Sequence, residues 1–166
     1  MLDVVRGATL VAATVAVGLV AGLFWSFSVA VMPGLRRADA RTFVATMQRI
    51  NVAIVNPLFL VSFLGAPMLT IAAGALGLGT DEWAAFPWIL AGLALYGVAF
   101  VITIGLNIPL NNALEAAGPP DGIADLAAVR ARFEAPWVRW NIVRALASTA
   151  ALACLSWALV LYGRTT

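Results

Sequence analysis

The chain has 166 residues, 63% of them hydrophobic, and only 11% are charged, against about 25% in a soluble domain. Its mean hydropathy of +0.97 points to lipid as the solvent. A net charge of +2, carried by ten scattered arginines and eight acids, excludes a nucleic-acid surface. No histidine is present and there is one cysteine, Cys154, so axial haem ligation, dithiol chemistry and the usual zinc or di-iron sites are not expected. The expectation is therefore no metal and no cofactor.

The first apolar run extends from about Ala8 to Met32 and ends in GLFWSFSVAVMPGLRR, with Trp25 and Ser28 inside it. Roughly 20 helical residues cross the hydrocarbon core, so this run is a span and is too long for the apolar part of a signal peptide. Gly18 and Gly22 form a small-residue pair suited to close helix packing, within the chain or at a homo-oligomer seam. A connection follows, RRADARTFVATMQRIN. Asp39 can cap a helix there, and Phe43, Met47 and Ile50 share one face. The second span, about Val52 to Leu78, is preceded by Arg49 and Asn51 and carries Asn56. A short turn, GLGTDEWAAFP, brings in Asp81 and Glu82 before the third span, residues 86–106. Thr103, Asn107 and Asn111 stand four apart at its end; Pro109 can kink or stop the helix, and Asn111 and Asn112 suit a turn or cap. A second long connection, GPPDGIADLAAVRARFEAP, carries the stripe Leu126, Val129 and Phe133, with Pro136 placed for the first turn of the last span. That span runs over residues 137–162 and puts Trp137, Asn141, Arg144 and Ser148 on one face.

The expected fold is all-α: one transmembrane domain over residues 1–166, an integral membrane four-helix bundle. Two short amphipathic helices occupy the connections between spans 1 and 2 and between spans 3 and 4. Both long connections fall on one side and hold Arg36, Arg37, Arg41, Arg49, Arg130, Arg132 and Arg139, whereas the other side holds Arg6 and Arg164. The positive-inside rule places the connections in the cytoplasm and the termini outside, in a bacterial inner membrane.

The polar residues gather at one depth. A rise of 1.5 Å per residue puts Trp25 about 12 Å in from Pro33 and Arg144 about 10 Å in from Trp137. Asn56 and Asn107 come to similar levels, on the side of the long connections. The pattern predicts a pocket open toward one membrane face. An arginine at such depth costs at least about 2 kcal/mol and calls for a partner. That partner is either a bound ligand or, structurally, Glu134. Asn51, Asn107 and Asn141 can bridge helices or line the pocket. Arg139 can reach water, and Trp137 and Trp140 suit an interfacial belt.

GLFWSFSVAVMPGLRR, QRIN, NIPLNNAL and FEAPWVRWNIVRALAS together resemble the anthrone oxygenase-like family, small four-span membrane proteins. The most specific parts are Asn-x-Pro-Leu-Asn in the third span and Trp-x-x-x-Asn-x-x-Arg in the fourth. The resemblance implies oxidation of anthrones to anthraquinones by molecular oxygen, without metal or flavin. Such chemistry needs a base, donors for an enolate oxygen and a flat apolar slot. Arg144, Asn107 and Asn141 can supply donors. Trp25, Trp137 and Trp140 can line the slot, and Arg49, Asn51, Asn56 and Asn111 can contact the substrate. Glu134, or a water held by asparagines, is the base. The expected partners are the bilayer and a lipophilic aromatic molecule. A non-catalytic protein that binds a lipid or small amphiphile is the alternative. A small exporter fits less well, because its membrane-embedded carboxylate has no counterpart among acids confined to termini and connections.

Overall fold

The computed structural model describes residues 1–78 and 84–164; Asp81 and Glu82 of the predicted turn lie outside them. Five helices carry the fold: α1 (Leu2–Arg36), α2 (Ala40–Ala53), α3 (Pro57–Gly77), α4 (Phe86–Ala116) and α5 (Leu126–Tyr162). A short 3₁₀ turn, Pro120–Gly122, lies between α4 and α5. No strand occurs among the described residues. All but α2 are long and apolar enough to cross a membrane, which makes this an integral membrane protein.

Two spans run further than their prolines suggest. Proline lacks an N–H and its ring collides with the carbonyl four residues back. Both helices absorb this with one widened turn. Residues Phe27–Val31 in α1 and Thr103–Asn107 in α4 are π-helical. Met32 N–H donates to Phe27 O, and Ile108 N–H donates to Thr103 O. Pro33 and Pro109 follow immediately and the helices continue. Asn111 and Asn112 are thus helical rather than a turn or cap.

The other prolines act differently. Pro57 opens α3, where its fixed φ suits the first turn. Asn56 is the cap: its Oδ1 accepts from Phe59 N–H at 3.1 Å, and its amide donates to Ala53 O at 2.9 Å. The second span therefore begins at Pro57 rather than near Val52. Pro136 does not open the last span. It lies inside α5, which begins at Leu126 behind an Asp125 cap, so the second amphipathic segment leads straight into the span.

The amphipathic helix α2 starts at Asp39. Hydrogen bonds from Thr42 N–H and the Thr42 hydroxyl hold its carboxyl below the usual range. Its apolar face, Phe43, Val44 and Met47, is buried against Met32, Leu114, Phe133 and Trp137. Two clamps fix the connections to one end of the bundle. Gln48 donates to Leu114 O at 3.0 Å and to Gly118 O at 2.9 Å, satisfying carbonyls that the end of α4 leaves open. Gly118 makes this possible with φ +85°, a left-handed conformation that terminates helices. Arg130 on α5 donates to Arg36 O at 2.9 Å and Ala38 O at 2.7 Å, doing the same for α1. An Arg41–Asp121 ion pair joins the two connections.

In the bundle, α1 packs along α3 and α5, and α4 packs along α5. Ala13, Ala16 and Val17 of α1 share one buried cluster with Ala151 and Leu155 of α5. A Cβ on Gly18 would touch Leu152 at 3.4 Å, so this glycine serves contact with α5 in the same chain; one on Gly22 would touch nothing. The α3–α4 contact is the sparsest between neighbouring spans. The bundle is split along that seam.

Candidate functional site

A cavity of about 520 Å³ fills the seam. That is within the range of small-molecule sites. Its exposed mouth is lined between α3 and α4 by Leu60, Leu64, Ile104 and Ile108, which are 38% to 49% exposed, and toward the connections by Val52 and Val55, which are 68% and 67% exposed. Its inner wall comes from α1 and α5, with Phe24, Phe27, Trp137 and Arg144. Asn51, Asn111, Asn112 and Glu115 supply polar wall on the side of the connections.

Arg144 is 7% exposed. Its Nε and Nη2 donate to Asn141 Oδ1 at 3.1 and 2.9 Å, and Nη1 donates to Thr103 Oγ1 at 3.3 Å. The guanidinium lies over the Phe24 ring at 4.0 Å and faces Trp137 at 5.3 Å. Such aromatic faces attract a cation without neutralising it. A guanidinium carries five N–H groups, so two remain without an acceptor among the described residues. Among the described residues no carboxylate forms an ion pair with Arg144. The structural pairing with Glu134 is thereby overturned. Glu134 instead binds Arg130 at 2.7 Å and Arg36 at 3.4 Å, and it is absent from the cavity wall. The reason is distance: about 15 Å of helical rise separates Glu134 from Arg144, and Glu134 faces the end of α1.

The π turns build the rest of the cluster. Ser28, in the first, accepts from Asn141 Nδ2 at 2.8 Å; that amide also donates to Phe24 O at 3.0 Å. Thr103, in the second, accepts from Arg144. Asn107 donates to Trp137 O at 3.3 Å, and its buried Oδ1 has no protein partner. Trp137 Nε1 donates to Asn111 Oδ1 at 2.7 Å. The fourth span is thus pinned from both sides by turns that the prolines widen.

The structure brings together Arg144, Trp137, Asn51 and Asn111 on the wall, with Asn141 and Asn107 buried beside them. The buried Nδ2 of Asn51 also has no protein partner. Besides Glu134, four expected residues stand elsewhere. Trp25 is 48% exposed and points outward, because Phe24, one position and 100° away, takes the inner face. Trp140 lies under Arg139 at 5.3 Å, off the wall. Arg49 is exposed, and Asn56 caps α3. Sequence reasoning missed the slot's aromatics. Phe59 and Phe63 stack at 5.3 Å, and Phe63 stacks on Phe100 at 4.9 Å. It also missed Glu115, although that residue continues the four-residue spacing of Thr103, Asn107 and Asn111.

Residues 58–154, from α3 into α5, match the anthrone oxygenase family. The chain belongs to this family. No curated protein and no solved structure compared with the chain matches it. The family region holds Asn107, Trp137, Asn141 and Arg144, whereas their partners Phe24 and Ser28 on α1 lie before it. For an anthrone oxygenase family member the arrangement has a definite chemical capacity. A buried cation with spare donors, beside a largely apolar slot, stabilises an oxygen that becomes negative.

Proposed function

We propose that the protein oxidises a flat lipophilic aromatic of the anthrone type with molecular oxygen. The observation that carries this reading is Arg144: a buried guanidinium with two free N–H groups and no acidic partner, facing an apolar cavity. The ketone oxygen of the substrate rests on it. Loss of a methylene proton moves the C–H electron pair through the ring onto that oxygen, and the enolate is held by the cation. The electron-rich carbon then bonds to one atom of O₂, and the terminal oxygen takes up a proton, forming a hydroperoxide. Loss of the second methylene hydrogen with cleavage of the O–O bond leaves a carbonyl and releases water. One O₂ is consumed per substrate, and one of its atoms remains in the product. The cavity mouth between two spans supports delivery of substrate from the bilayer. The arginine-rich connections support a cytoplasmic position for that end of the bundle.

Arg144→Gln keeps a polar side chain but removes the charge. In proteoliposomes the wild type should take up one O₂ per molecule of a simple anthrone. The variant should insert and fold, yet lose binding and turnover at least a hundredfold. Full turnover by Arg144→Gln would refute the site. Tight binding without oxygen uptake by the wild type would make the protein a carrier of such molecules instead.

A further inference from the structure

Oxidation of an anthrone begins with a base, and Glu134 is committed to Arg130 and Arg36 outside the cavity. We infer that Glu115 takes the substrate's proton. This assignment rests on the oxidation proposed above and adds the group that it lacks. Among the described wall residues Glu115 is the single carboxylate, and it makes no ion pair there. Helical side chains lean toward the N-terminus of their helix, so Glu115 leans toward Asn111 and the cavity interior.

A chain of contacts links it to the oxygen site. The Arg144 guanidinium is 5.3 Å from the Trp137 ring, and the Trp137 indole donates to Asn111 at 2.7 Å. Glu115 follows Asn111 by four residues, about 6 Å away on the same helix face. Arg144 and Glu115 therefore occupy opposite ends of one polar edge. An anthrone presents its ketone oxygen and its methylene on opposite sides of the central ring. Adding a contact length of about 3 Å at each end gives a span of roughly 10 Å; Glu115 follows Thr103, the Arg144 partner on α4, by roughly 18 Å of helical rise, which its backward lean shortens and one water on the polar edge completes. With the ketone on Arg144, the methylene points along this edge toward Glu115, and the water between them relays the proton. The proton passes to the carboxylate, and the C–H electron pair becomes the enolate on Arg144. Glu115 is accessible at the cavity rim, so it can exchange the proton with water before O₂ reacts.

The proton step can be read without oxygen. Wild-type protein in anaerobic vesicles in D₂O should accelerate deuterium exchange at the methylene of a simple anthrone, relative to protein-free vesicles. A positioned base contributes about a hundredfold or more, so Glu115→Gln should lose at least that factor while its Kd for the anthrone is unchanged. Glu115→Asp should regain part of the rate. Exchange by Glu115→Gln at the wild-type rate overturns the assignment and leaves the oxidation reading standing. Binding lost in step with exchange also overturns it, because Glu115 would then hold the ligand or the fold. No acceleration by the wild type removes both the oxidation reading and the base.

Discussion

Asn141→Asp separates the charge of Arg144 from its packing. In the wild type Asn141 Oδ1 accepts both Nε and Nη2 of Arg144. An aspartate keeps this geometry and adds a negative charge, giving an ion pair with a Coulomb attraction of about 4 kcal/mol at 4 Å and an effective dielectric of 20. Against it stand two donor bonds lost, to Phe24 O and Ser28 Oγ. The Ser28 hydroxyl, which donates to Phe24 O at 3.2 Å, can turn to the carboxylate instead; Phe24 O then keeps only its backbone donor, Phe27 N–H, at a cost of about 0.5–1.5 kcal/mol. Desolvation of the new charge absorbs much of the rest. The thermal midpoint should therefore stay close to wild type. Ligand binding should not. A neutralised guanidinium forfeits a charge-assisted hydrogen bond of about 1.5–3 kcal/mol, and Kd should rise about ten- to a hundredfold. Asn141→Leu gives the opposite profile: two N–H groups of a buried cation are orphaned, and stability falls by about 3–5 kcal/mol. Titrating a simple anthrone into nanodisc-held protein, followed by tryptophan fluorescence, measures the first quantity; thermal unfolding measures the second. Wild-type affinity in Asn141→Asp would show that the charge of Arg144 plays no part in binding.

Gln48→Leu removes two bonds to the end of α4 and should cost about 1–3 kcal/mol, seen as a lower unfolding midpoint and as faster proteolysis in the connection after α4. Ile104→Trp, at the cavity mouth, should slow association of an anthrone from vesicles severalfold. Its dissociation should slow in proportion, so that stopped-flow rates change and Kd does not.

The four spans are legible in the sequence because hydropathy depends on the run itself and not on its neighbours. Arg144 was legible for a related reason: its depth follows from the helical rise, and charge at depth demands explanation. Other features depend on rotation or on local backbone chemistry. Trp25 and Phe24 are adjacent in a helix that is apolar on every side, so no periodicity says which faces inward. Pro109 reads as a stop, yet a single π turn carries the helix beyond it and delivers Asn111 and Glu115 to the cavity. Asn56 resembles a pocket residue by depth, but the proline after it makes it a helix cap. The choice between Glu115 and Glu134 rests on which helix ends meet. Arg130 holds the end of α1 and Glu134 together, which keeps Glu134 off the cavity wall.

The mouth formed by Leu60, Leu64, Ile104 and Ile108 has a bearing on how the protein is handled. Its reservoir is a two-dimensional solvent, so the relevant substrate concentration is a mole fraction among acyl chains and not a molarity in buffer. In a micelle, alkyl tails surround the same opening and compete for the slot. If the proposed oxidation holds, apparent KM should then climb in proportion to detergent at constant total substrate, a dilution effect that belongs to the assay and not to the protein.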